Sequence, residues 1–349
     1  MFRKTLLVSL LGSIMTAAMA ADLPNIHILA TGGTIAGTSA SSTQVSQYQA
    51  GQLGIQTLID AVPQIKSFAN VSGEQICKVG SQDMTDALLL KLAKRCNELL
   101  DKPEVDGIVI THGTDTMEET AFFLNLTVHS NKPVVLVGSM RPATALSADG
   151  PLNLYHAVKL SADANAAGRG VLVALNDAIC GARDVTKTHT TSVATFTSHD
   201  FGVLGYMVNG ENQFFTRSLK PHTTESQFNI SHLNKLPRVD IIASHVNADG
   251  ALVDAAVNVG AKGLVFAGTG NGSISKKEIA SIKKAGKHGV VTVRASRTGS
   301  GFVTFDSDWD PLGMVYSGTL SPQKARILLQ LAMTQTNDLE EIQKIFNTY

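Results

Sequence analysis

Apolar residues along the 349-residue chain fall into two alternating patterns. Short Val-, Ile- and Leu-rich runs, "NIHILA" (25–30), "DGIVIT" (106–111), "PVVLVG" (133–138) and "GVLVAL" (170–175), read as strands buried on both faces. Between them, "TDALLLKLAKRCNELL" (85–100), "TMEETAFFLNLTV" (116–128) and "LNLYHAVKLSADA" (152–164) carry apolar positions at helical spacing, with Thr85 placed to cap the first. Strand and helix in alternation predict parallel strands joined by crossover helices, an α/β fold. The rhythm lapses from about Gly210 to Leu236, around Pro221, His222 and Thr223, then restarts with "VDIIASHV" (239–246), "GLVFAG" (263–268) and "GVVTVRA" (289–295). A last helix, "SPQKARILLQLAMTQT" (321–336), opens with Ser321 as N-cap and Pro322 at the first helical position. The expected organisation is an N-terminal domain over 21–212, a linker over 213–236 and a C-terminal domain over 237–349.

The first twenty residues stand outside this scheme. Arg3 and Lys4 precede the apolar run Leu6 to Ala18, and Ala18-Met19-Ala20 offers a small-x-small site. That is the pattern of a secretory signal cleaved after Ala20, with an uncleaved anchor as the alternative; export to the periplasm is the expectation. Lys+Arg 29 against Asp+Glu 29 gives zero formal charge, which favours a small-molecule partner over nucleic acid. Cys77, Cys96 and Cys180 show neither CxxC nor zinc spacing and read as buried small hydrophobes, although export permits one pairing.

Candidate chemistry lies at two strand ends. "ILATGGTIAG" (28–37) closes a strand with Gly32 and Gly33, whose backbone can approach a ligand closely, followed by the hydroxyl of Thr34. It fits neither GxGxxG nor a P-loop, so Thr34 is either a turn residue or a presented hydroxyl. "ITHGTDTMEET" (110–120) repeats the strand-Gly-Thr order with Gly113, Thr114 and Asp115; Asp115 or Thr116 can also cap the next helix. A threonine needs a base to act as nucleophile. Lys187 in "GARDVTKTHTT" is either a solvated lysine or a relay beside Thr114 and Asp115. Residues 37–54 form a polar, glycine-bounded stretch that is a lid carrying Tyr48 or a surface loop. "GTGNG" (268–272) is a second-domain ligand loop or a turn. "DSDWDPLGMVYS" starts like a calcium loop but puts Pro311 where glycine is required.

Taken together, "ILATGGTIAG", "GIVITHGTDTMEET", "VGSQDM", "SADGPLNLYHAV", "RDVTKT", "GTGNG" and "SGTLSPQKARILLQLA" resemble, in order, the bacterial asparaginase/glutaminase family, and with the leader its exported type II members. The resemblance implies a larger N-terminal domain with a flavodoxin-like, mainly parallel sheet and a smaller C-terminal α/β domain. It implies L-asparagine hydrolysis to L-aspartate and ammonia, without cofactor or metal, in a homotetramer with active sites between subunits. By position it makes Thr34 the nucleophile, Tyr48 its proton partner, and Thr114, Asp115 and Lys187 the second catalytic group. Ser81 and Gln82 match substrate contacts, shared with Asp115, and Asn271 approaches from a neighbouring subunit. Backbone N–H groups near Gly33 and Thr114 are expected to serve as donors to the tetrahedral intermediate.

Two positions depart from the family pattern. A glutamate that often reaches the substrate ammonium has no counterpart in "FVTFDSDWDPLG", so Asp306 or Asp308 fills that role on a shorter arm or it stands vacant, which bears on asparagine-versus-glutamine preference. Ser130 replaces one cysteine of a disulfide found in some relatives, so that bridge is expected to be absent. The rival from another class is a periplasmic solute-binding protein, which also has two α/β domains and a leader but needs neither the paired Gly-Thr corners nor Lys187.

Overall fold

The computed structural model describes residues 22–45, 48–309 and 313–349. The leader expected at 1–20 and Pro311 lie outside the described residues. The N-terminal sheet contains β1 (Asn25–Gly32), β2 (Asn70–Val79), β3 (Gly107–Thr111), β4 (Val134–Val137), β5 (Val171–Leu175), β6 (Ala178–Gly181), β9 (Gly205–Val208) and β10 (Glu211–Phe214). A separate pair, β7 (Thr186–Lys187) and β8 (Phe196–Thr197), follows β6 in the chain. The large sheet runs β10-β9-β6-β5-β4-β3-β1-β2, parallel from β2 through β5. Beyond β5 it turns antiparallel, which the strand-helix rhythm did not anticipate. A tight turn at Asn176 and Asp177, both at positive φ, reverses the chain there without a crossover helix.

Alternate residues of each central strand feed opposite faces, as the two-residue side-chain period requires. Leu29, Ile108 and Ile110 enter one apolar cluster; Ile26, Ile28 and Val109 enter another. The first is covered by α2 (Asp86–Leu100) and α3 (Met117–Thr127), the second by α1 (Ile55–Asp60) and α4 (Gly150–Ser161). Thr85 caps α2 as expected, its hydroxyl accepting from Leu88 N–H at 3.2 Å.

The C-terminal sheet is four parallel strands in sequence order, β11 (Val239–Ala243), β12 (Gly263–Gly268), β13 (Val291–Ser296) and β14 (Met314–Tyr316). One face carries α5 (Ala251–Asn258) and α6 (Lys276–Lys287); the other carries α7 (Pro322–Ala332), with α8 (Leu339–Thr348) against β14. Ile327, Leu328, Leu329 and Leu331 of α7 are fully buried and join the C-terminal sheet to the cluster beneath α2 and α3. The two domains therefore share one continuous apolar layer. The segment between their sheets is no free tether, because Phe228, Ile230 and Leu236 are buried in that same layer. Strand β10 also reaches Phe214, two residues past the expected domain end at 212.

Candidate active site

Strand register brings the site together. In the parallel pairing, β1 lies between β2 and β3, with Gly32 opposite Val79 and Ala30 opposite Thr111. The three carboxyl ends therefore leave the sheet side by side, where open α/β sheets expose their ligand crevice. Each continues into a polar corner: Gly33-Thr34, Gly80-Ser81 and Gly113-Thr114.

The first and third corners touch through backbone. Gly33 sits at φ 81 and ψ −173, a conformation open to glycine alone, and a Cβ placed there would lie 2.3 Å from Gly113 N. Thr34 and Thr114 are the residues that follow in each chain segment, and both are buried. The second corner packs against the third in the same manner. A Cβ on Gly113 would meet Ser81 Oγ at 2.7 Å, and Ser81 Oγ accepts from Asp115 N–H (3.1 Å) and Thr116 N–H (3.4 Å).

Thr34 Oγ1 lies 2.5 Å from Tyr48 Oη. Tyr48 is carried by the 37–54 stretch, whose described residues are held against the first corner. Thr38 and Gln49 exchange backbone hydrogen bonds (3.1 and 2.9 Å), and Gly51 N–H donates to Gly33 O at 3.0 Å. Residues 39 and 42 are also tied to the loop after β4, through Ser39 N–H to Thr144 Oγ1 (2.9 Å) and Leu146 N–H to Ser42 O (2.8 Å).

The second group centres on Lys187, whose Nζ donates to Thr114 Oγ1 at 2.9 Å and to Asp115 Oδ1 at 2.6 Å. Asp115 is exposed, and Lys187 retains only 16% side-chain exposure. The ammonium is thus held at the crevice by one hydroxyl and one carboxylate, a geometry suited to proton relay. The Lys187 N–H in turn donates to Glu118 Oε2, in the first turn of α3, at 2.8 Å. His112 braces the third corner from beneath: its Nδ1 is 2.7 Å from Gly113 O, and its Nε2 is 3.0 Å from Thr120 Oγ1. Full burial pushes its pKa down to about 4, so the ring is neutral at pH 7.

Several expectations change in detail. Gly33 offers no spare donor, because its N–H is bonded to Val79 O at 3.0 Å; its contribution is conformational. Neither Asp115 nor Thr116 caps α3 with its side chain. Asp115 faces Lys187, and Thr116 Oγ1 donates to Ser81 O at 2.7 Å. Gln82 is exposed and bonded to its neighbour Asp83. Asn271 lies on the C-terminal domain and bonds Thr304 rather than any residue of the three corners. Asp308 N–H donates to Asp306 Oδ1 at 2.9 Å. All three cysteines are free, and Ser130 Oγ accepts from Lys132 N–H. Glu118 and His112 were not singled out in the sequence; an acidic residue in a first helical turn is too common to stand out.

Two α/β domains, with a part-buried threonine-tyrosine pair and a threonine-lysine-aspartate group at adjoining strand ends, fit a hydrolase. Comparison with known proteins sharpens this. Residues 25–220 match the family profile "Asparaginase, N-terminal" and residues 238–346 match "Glutaminase/Asparaginase C-terminal domain". The chain belongs to the asparaginase/glutaminase family. It is 54% identical over 348 residues to the probable periplasmic L-asparaginase of Haemophilus influenzae, covering 99% of each chain. It is 52% identical over 350 residues to L-asparaginase 2 of Escherichia coli, covering 100% of this chain and 99% of that one. The crystal structure of a probable cytoplasmic L-asparaginase from Campylobacter jejuni superposes with a TM-score of 0.92 at 48% identity, over 93% of this chain and 100% of that one. These relatives give the solute-binding alternative no support.

Proposed function

We propose that the protein hydrolyses the side-chain amide of L-asparagine to L-aspartate and ammonia, with glutaminase side activity, through an acyl-enzyme on Thr34. The observation that carries this reading is the convergence of two hydroxyl corners, Thr34 with Tyr48 and Thr114 with Lys187 and Asp115, at neighbouring strand ends.

In the proposed sequence Tyr48 relays a proton: its Oη takes the Thr34 proton as Oγ1 attacks the amide carbon, while its own hydroxyl proton passes toward the leaving nitrogen. The resulting oxyanion is met by backbone N–H donors of the third corner, with Thr114 N–H the leading candidate. Collapse expels ammonia once the leaving nitrogen is protonated, and leaves an ester on Thr34. A water activated beside Thr114, Lys187 and Asp115 then attacks the ester, releasing aspartate and restoring the hydroxyl. Asp115 provides an acceptor for the substrate ammonium, and Ser81 Oγ, already accepting two N–H groups, directs its own proton toward the substrate carboxylate. Gln82 completes that contact on rotating away from Asp83.

The active protein is proposed to be an exported, periplasmic homotetramer in which Asn271 of one subunit serves the site of another. Support comes from the leader pattern for export and, for the shared site, from the bonds of Asn271, which go to Thr304 and Arg294 of its own domain. The domains are proposed to meet between β10 and β11. Purified protein given L-asparagine should release one ammonia per aspartate formed, and Thr34→Ala should lose turnover while keeping its fold. Undiminished turnover in Thr34→Ala removes the assignment.

A further inference from the structure

Lys187 rides on a strand of two residues, paired only with β8, and a ladder that short is not stable by itself. The surrounding chain must be fixed from outside if Nζ is to stay within hydrogen-bond reach of two partners. Two buried charged side chains do this, from two different domains. Lys324 of α7 is 2% exposed, and its Nζ donates to Arg183 O (2.7 Å) and Val185 O (2.5 Å), just upstream of Lys187. Glu118 of α3 is 7% exposed and accepts the N–H of Lys187 itself. Arg183 is gripped separately, through Nε to Tyr349 O and Nη2 to Thr319 Oγ1.

A lysine inside a domain interface is costly to desolvate, and an apolar side chain of the same length would avoid that cost. Burial indeed lowers the pKa of Lys324 to about 8, against the opposing pull of Glu118 and Asp184. An apolar replacement, however, would leave the Arg183 and Val185 carbonyls without partners in a dry layer. They would then turn toward other donors and carry the Lys187 backbone with them.

We propose that Lys324 and Glu118 are positioning residues that lock the 183–187 segment from both domains, so that the C-terminal domain sets where the Lys187 ammonium stands. The proposal rests on the reading of Lys187 as the proton relay. Both residues are buried and bond the backbone of the segment that carries Lys187, so the effect belongs in kcat and not in KM.

The test is steady-state ammonia release by the full protein over a range of L-asparagine, with a thermal melt to establish folding. Lys324→Met keeps an unbranched apolar chain, one atom shorter, and removes the donors; it should lower kcat about 10²-fold, the cost of roughly 1 Å of misplacement, with KM within about threefold. Lys324→Gln restores two N–H donors on a neutral, one-atom-shorter arm and should recover at least about tenfold of that loss. Glu118→Ala should show the same kcat-selective loss, and it decides the matter by the same criteria if the Lys324 variants do not fold. A folded Lys324→Met with kcat within about threefold of the parent overturns the proposal, as does Lys324→Gln no better than Lys324→Met. Lys187→Met run alongside separates the two levels. If it is inactive while folded Lys324→Met and Glu118→Ala are near parental, positioning alone fails; if it is itself near parental, the relay reading fails.

Discussion

Replacing Gly33 by alanine probes the contact on which the site is built. An added Cβ would stand 2.3 Å from Gly113 N, 2.5 Å from Gly113 Cα and 2.8 Å from His112 C, all backbone atoms. The first of these is about 1 Å short of ordinary contact, and no side chain can rotate to make room. The φ of 81 and ψ of −173 add a backbone penalty of about 1–3 kcal/mol, and the overlap adds about 1–3 kcal/mol more. The combined destabilisation is about 2–6 kcal/mol. A 1 Å separation of the Thr34 and Thr114 corners is enough for about a 10²-fold loss of kcat. Gly168→Ala is the control: its φ of 68 is equally positive but nothing lies within 4 Å of the new methyl, so strain of about 1–2 kcal/mol and parental turnover are expected. Urea denaturation and ammonia release on both variants make the comparison. Gly33→Ala within about 1 kcal/mol of the parent and within about threefold in kcat would refute the backbone contact.

Three further outcomes follow from the same geometry. Tyr48→Phe removes the hydroxyl 2.5 Å from Thr34 Oγ1 and should cost about 10²-fold or more in kcat with the melt unchanged; near-parental kcat would remove Tyr48 from proton transfer. His112, with its folded pKa lowered to about 4 from an ordinary 6.5, adds stability that is complete above pH 6.5 and is lost as pH falls toward 4. The stability gap between parent and His112→Asn should therefore shrink by about 3 kcal/mol between pH 7 and 4 in urea titrations, and a constant gap contradicts it. Because Cys77, Cys96 and Cys180 are all free, dithiothreitol should leave the thermal midpoint where it was; a lowered midpoint would reveal a bridge.

The parallel half of the large sheet was legible because β3, β4 and β5 are β-branched runs buried along their whole length. The antiparallel half was not. Strands β9 and β10 alternate exposed and covered residues over only four positions each, too short for periodicity to separate them from loop. β2 was missed for a related reason: it is an edge strand in which Ile76 is the single buried residue. At the site, the Gly-Thr motifs marked both candidate corners, yet register alone decides that they adjoin. Thr116 read as a helix cap because hydroxyls at that position commonly are; tertiary packing against Ser81 redirected it. Lys324 did leave a trace in the sequence, since it shares an apolar helix face with Leu328 and Leu331, where a lysine has no solvent to reach.

The central claim is that Thr34 bonds covalently to substrate at a site shared with Thr114 and Lys187. Rapid acid quench of the protein during turnover of L-asparagine, followed by proteolysis and mass spectrometry, tests it most directly. The account predicts an aspartyl increment on the peptide containing Thr34, with accumulation in Lys187→Met, where water activation is impaired, and none in Thr34→Ala. An increment on a different residue, or undiminished hydrolysis by Thr34→Ala, would contradict it.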